Sequence, residues 1–108
     1  MTVLVGRTAA DNDVLTLKIA SQKDFWMHVA SESGSHVVVR NPDGLDALPK
    51  ETLLFAASLA ARYSKAKNAK RVQVHVARAR DVSKPRGFAR GKVVLKRYQS
   101  VKVEPHSD

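Results

Sequence analysis

The chain has 108 residues, 44% hydrophobic and 27% charged, a balance too apolar for a disordered tail and suited to one globular domain with a modest core. It contains no cysteine, which excludes a disulfide framework and any thiolate metal site. The formal charge of +9 is uneven: residues 1–54 carry five Lys and Arg against seven acids, a net of −2, whereas residues 55–108 carry fourteen against three, a net of +11.

In chain order, residues 1–4 run directly into the charges of Arg7 and Asp11, without the apolar stretch of roughly 7–15 residues that a signal peptide needs. No apolar run approaches the roughly 20 residues of a membrane span. No membrane partner and a cytoplasmic location are therefore expected. Val3 and Val5, then Val14, Leu15, Leu17 and Ile19, flank the polar stretch Ala10–Asp13, whose side chains bond locally to backbone, and this predicts a first β-hairpin. Phe25–Val29 and His36–Arg40 are rich in aromatic and β-branched residues and are joined by a short segment containing Gly34, which predicts a second. Asn41-Pro42-Asp43-Gly44 reads as a turn.

From Pro49 to Lys67 the period changes. Leu53, Ala56, Ala57, Ala60 and Ser64 recur on one face, predicting an amphipathic helix over 49–67 whose alanines allow close approach to a sheet. Arg62, Lys65 and Lys67 fall at its C-terminal end, where the helix dipole favours positive charge. Val72–Val76 alternates strictly, a basic loop follows, and Lys92–Leu95 and Tyr98–Val103 read as the last strands. The expected fold is one α+β domain over residues 1–108, a mostly antiparallel sheet of hairpins packed against one main helix.

The charge surplus of the second half is the electrostatic footprint of a phosphate-bearing polymer, because each neutralised phosphate releases condensed counterions. The loop Val82–Lys92 is the leading candidate for such contacts. Lys84, Arg86, Arg90 and Lys92 supply cations, while Pro85, Gly87 and Gly91 shape the backbone. Arg86-Gly87-Phe88-Ala89 matches the opening of the RRM signature, but Arg90-Gly91 stand where that motif needs Phe-Val, so an RRM is rejected. A P-loop is rejected too, since Val93 stands where a hydroxyl must hold magnesium.

Trp26, His28, His36 and Arg40 form a second cluster. Within each strand Trp26 shares a face with His28, and His36 with Arg40, but whether the two pairs share a face depends on register. Together they would make a platform for a base or a phosphate; singly, each is better explained as core or as a structural donor. A zinc site from His28 and His36 with Asp24 or His75 lacks diagnostic spacing, and Ser35, His36 and Asp24 match a hydrolytic triad in residue type alone. No metal, cofactor or catalytic residue is expected.

Read together, Asp24–Val29, Gly34–Arg40, Thr52–Lys67 with its Tyr63-Ser64-Lys65-Ala66-Lys67 ending, and Lys84-Pro85-Arg86-Gly87 with Gly91 resemble the NFACT-R domain of the RqcH/NEMF ribosome-quality-control family, in that order and spacing. The resemblance implies an RNA-binding module that contacts tRNA or rRNA in translation or ribosome quality control. It places RNA contact on His28, Ser35, His36, Arg40, Ser64, Lys65, Lys84, Arg86 and Gly87, to which the charge argument adds Arg62, Lys67, Arg90 and Lys92. Peptide tailing, which in the full-length factors belongs largely to an N-terminal domain, is not implied for these 108 residues. Two further readings stand beside it. One is an RNA- or nucleotide-processing enzyme with His28 and His36 as acid and base; the other is a module that docks on a ribosome-associated protein through a strand edge.

Overall fold

A computed structural model describes residues 1–107. Five strands form an antiparallel sheet in the order β1-β3-β2-β4-β7: β1 Val3–Val5, β2 Phe25–Val29, β3 Val37–Val39, β4 Val72–Arg78 and β7 Gln99–Val103. A second, two-stranded ribbon pairs β5 Val82–Ser83 with β6 Val94–Leu95. The helices are α1 Ala9–Val14, continued by a π-helical turn Leu15–Ile19, and α2 Lys50–Arg62. The expected α+β class, antiparallel sheet and main helix are all present.

The alternation of strand side chains divides the sheet into two buried faces. Phe25, Met27, Val29, Val37, Val39, Val72, Val74 and Val76 point to α2 and pack against Ala56, Ala57, Ala60 and Ala61, all four fully buried. The alanine stripe lets the helix backbone lie close to β-branched side chains. Each valine removed from water there contributes roughly 1.5–3 kcal/mol. On the opposite face Trp26, Val38 and Ala77 pack against Leu15 and Val82. The second cluster covers only part of that face.

Two expectations are corrected. The stretch Ala10–Asp13 is not a hairpin turn, and residues 14–19 are not a strand. The Thr8 side chain accepts a hydrogen bond from the Asp11 backbone N–H at 3.0 Å and caps α1, so β1 pairs with β3 instead. The pattern Thr8-Ala9-Ala10-Asp11 is itself an N-cap signature, which the hairpin expectation did not use. The main helix stops at Arg62 rather than Lys67. Beyond it, Ser64 bridges to Gly34, the Tyr63 carbonyl accepts from the Ser35 N–H, and the Lys65 N–H donates to the Ser33 carbonyl. Those strand-like bonds remove the backbone groups that another helical turn would use.

Candidate nucleic-acid interface

Register settles which residues meet. Trp26 lies opposite Val38 and Met27 opposite Val37, so His28 falls opposite His36; on its other side His28 pairs with His75, and His75 with Ser100. The four rings Trp26, His28, His36 and His75 therefore share the face away from α2. Trp26 stacks on His28 at 6.0 Å between centroids and 17° between planes, and His36 stands edge-on to Trp26 at 5.0 Å and to His28 at 5.3 Å. Tyr98, at the entry to β7, leans over His75 at 4.5 Å. A row of rings thus crosses β2, β4 and the start of β7.

The inner part of this floor is fixed by hydrogen bonds. The Trp26 indole N–H donates to Thr16 Oγ1 at 3.0 Å, and Thr16 Oγ1 lies 2.7 Å from His36 Nδ1. His36 Nε2 lies 3.1 Å from the Gly91 carbonyl, which can only accept, so Nε2 carries the hydrogen. Burial, reinforced by the neighbouring His28, pushes the His36 pKa down to about 4, so the ring is neutral near pH 7 and its Nδ1 accepts from the Thr16 hydroxyl. Burial also lowers the pKa of His28. Hydrogen bonds to the Val29 and Gly34 backbone oppose that shift, while His75 and Lys92 act with it.

Around this floor opens a cleft of about 1110 Å³. Asn12 straps one wall, accepting the His36 N–H at 3.0 Å through Oδ1 and donating to the Gly34 carbonyl at 3.3 Å through Nδ2. Gly34 must stay bare, since a Cβ there would lie 2.7 Å from the Ser64 Cβ. That close approach carries Lys65 and Lys67 to the rim. The opposite wall is the basic loop, held by Asp13: Oδ1 accepts the Gly91 N–H at 3.0 Å and Lys84 Nζ at 3.3 Å. Gly91, at φ +76°, supplies the left-handed turn that brings the loop against Ala9 of α1.

The residues singled out in sequence divide by this geometry. His28, His36, Ser35, Ser64, Arg62, Lys65, Lys67, Arg90 and Lys92 all line the cleft. Ser64 is buried with its hydroxyl donating to the Ala61 carbonyl, and Ser35 is buried beside it, so both shape the wall. Lys84 is a clamp, because its ammonium also donates to the Ala89 and Lys92 carbonyls. Arg86 and Gly87 sit at the exposed loop tip, outside the cleft. Arg40 is separated from the histidines altogether: it pairs with Asp24 at 3.3 Å and donates to the Ile19 carbonyl at 2.9 Å, towards the other end of β3. The platform is therefore Trp26, His28 and His36 without Arg40. Sequence reading missed Arg7 and Tyr98 and weighed His75 only as a zinc ligand, yet all three line the cleft. The one available signal for Tyr98 was an aromatic ring directly after Lys96 and Arg97.

His36 is unsuited to proton transfer in this geometry, because both ring nitrogens are engaged and the side chain is 1% exposed. Among the described residues no group of three His, Cys, Asp or Glu side chains is placed to hold a metal ion, and no helix is long and apolar enough to cross a membrane. What the cleft offers is rings below and cations around. The chemistry that suits it is noncovalent recognition of an anionic, ring-bearing ligand.

The chain is similar to known proteins over most of its length. The family model described as the NFACT protein RNA binding domain matches residues 1–97. The chain is 37% identical over 110 residues to the Rqc2 homolog RqcH of Bacillus subtilis, covering all of this chain and 18% of that protein. It is also 37% identical over 68 residues to a ribosome quality control complex subunit NEMF homolog of Drosophila melanogaster, covering 63% of this chain and 7% of that protein. A solved structure of the C-terminal part of the fibronectin/fibrinogen-binding protein from Streptococcus suis superposes with a TM-score of 0.89 at 35% identity, over 96% of this chain and 41% of that one. The chain thus spans under a fifth of the length of these curated relatives. Sequence pattern and the likeness to relatives lead to one conclusion: the chain belongs to the NFACT-R family, the RNA-binding domain of NFACT proteins.

Proposed function

We propose that this domain binds structured RNA, tRNA or rRNA, as a noncatalytic module acting in the cytoplasm in ribosome quality control. The observation that carries the reading is the lining of the cleft: Arg7, Arg62, Lys65, Lys67, Arg90 and Lys92 surround a floor of aromatic and imidazole rings, with Glu32 as the single carboxylate among the described lining residues. Cations in that arrangement attract and hold a phosphate backbone, and they leave the ring faces free for what the backbone carries. The ribosomal setting rests on the relatives named RqcH and NEMF homolog, which are much longer proteins.

The test compares affinities for total tRNA and for a DNA duplex of matched length between about 50 and 200 mM salt. Six phosphate contacts weaken binding about a thousandfold over that range. A Lys65/Lys67/Arg90/Lys92→Ala variant is expected to lose affinity and to flatten the salt dependence while remaining folded. Equal binding by this variant and the unaltered domain would refute the cleft as the phosphate site. Preference for tRNA over DNA supports the translational setting, and indifference between them removes it.

A further inference from the structure

We propose that the ring row His28, His75 and Tyr98 is a stacking subsite for unpaired nucleotides, so that the domain takes RNA in which bases are splayed out of a helix rather than a continuous duplex. The inference rests on the RNA-binding reading above and specifies which part of an RNA enters the cleft.

Three observations carry it. The rings form a contiguous surface: His28 and His75 are cross-strand partners on β2 and β4, and Tyr98 continues the row with its centroid 4.5 Å from that of His75. These three residues reach solvent where Trp26 and His36 do not. Tyr98 is 53% exposed and His28 and His75 are half-buried, whereas Trp26 is 2% and His36 1% exposed. The buried pair therefore supports the floor and the outer three present it. Finally, the cleft of about 1110 Å³ exceeds the roughly 300–1,000 Å³ of an ordinary small-molecule site, which leaves room for more than one nucleotide beneath the cationic rim.

The physical reason for excluding a duplex is geometric. In an A-form helix the base faces are covered by their neighbours, and the wide, shallow minor groove exposes only edges and 2′-hydroxyls. A floor built of ring faces meets nothing complementary there. An unpaired base has a free π-face of about the size of one ring in the row, and such stacking tolerates any base. The rim cations act on the backbone in both cases. Base stacking and phosphate attraction are therefore separable, since only the second depends steeply on salt.

The experiment uses the whole 108-residue chain. Fluorescence anisotropy measures its affinity for a hexa-adenosine RNA, for an abasic ribose-phosphate hexamer and for a blunt RNA duplex, with the unaltered protein, Tyr98→Ala and Tyr98→Phe. Tyr98 is exposed, so neither substitution disturbs the core. The expected result is hexa-adenosine binding about 5- to 100-fold weaker in Tyr98→Ala, as for removal of one base–aromatic stack, with the salt slope unchanged and affinity recovered in Tyr98→Phe. Duplex and abasic affinities are expected not to respond to Tyr98. If the abasic and adenosine hexamers bind alike, or Tyr98→Ala binds hexa-adenosine as the unaltered protein does, the stacking subsite is overturned while salt-dependent RNA binding still stands. If no RNA binds at about 50 mM salt, the RNA-binding reading fails and the subsite fails with it.

Discussion

The Gly91 amide donates to the Asp13 carboxylate at 3.0 Å, joining residues 78 positions apart. The same Asp13 oxygen holds Lys84 at 3.3 Å, so one carboxylate on α1 fixes both the start and the end of the basic loop. The adjacent Gly91 carbonyl in turn receives His36 Nε2–H, which links loop and floor. Loop position and floor tautomer are parts of one network.

That network predicts the behaviour of Asp13→Ala. Two charge-assisted contacts disappear from a partly exposed site, and a loss of about 1–2 kcal/mol is expected in urea denaturation at pH 7. RNA affinity should fall as well, although no phosphate-binding cation has been removed, because Arg90 and Lys92 lose their fixed position. Unchanged RNA affinity in a measurably destabilised Asp13→Ala would show that the loop's position is irrelevant to binding.

Lys84 and Lys92 are predicted to separate. Lys84→Ala removes a clamp that bonds Asp13, Ala89 and Lys92, so it should lower the urea midpoint and leave the salt slope of RNA binding nearly as it was. Lys92→Ala removes an exposed cation and should do the reverse, reducing the slope by about 0.7–0.9 for the one lost contact. The paired measurement is a denaturation curve and a salt titration on each variant.

Gly34→Ala tests how closely the segment after α2 must approach the sheet. Its Cβ would lie 2.7 Å from the Ser64 Cβ and 3.0 Å from its Cα, and Ser64 is itself buried and hydrogen-bonded. Overpacking against backbone is expected to cost about 1–3 kcal/mol, read as a lower urea midpoint. Stability equal to that of the unaltered protein would mean that the 33–35 and 63–65 segments can separate freely.

The domain should weaken in mild acid. His36 has a folded-state pKa of about 4 against 6.5 for an unperturbed imidazole, so between those values the unfolded chain binds the extra proton. Its stabilising contribution is complete above the unfolded value and is lost as pH falls from 6.5 through 4. The shift corresponds to roughly 3 kcal/mol in total, of which about 2 kcal/mol is gone by pH 5. His28, shifted the same way, adds to the effect. Urea midpoints at pH 7 and pH 5 measure it, and a His36→Gln variant should show a smaller difference between the two.

How much of this was legible in sequence depended on the range of the interaction concerned. The alternation of Val72–Val76, the β-branched run Val37–Val39 and the alanine stripe of α2 are local periodicities, and each produced the element expected of it. The excess of cations in the second half likewise pointed to the polymer that the family description names. Arg40 illustrates the complementary case. Strand parity puts Arg40 on the same face as His36, but its distance from the cleft and its pairing with Asp24 follow from where the chain turns.

Composition and periodicity by themselves determined the α+β class, the main helix, the absence of thiol chemistry and the basic character, because those depend on residue type and on spacing within one element. The tertiary structure alone decided that His28 meets both His36 and His75, that Lys84 is a clamp and Lys92 an exposed rim cation, and that Tyr98 joins the ring row. Each of these depends on register or on contacts across tens of residues. A one-residue slip in pairing would turn every ring to the other face, and no local pattern in the chain carries that information.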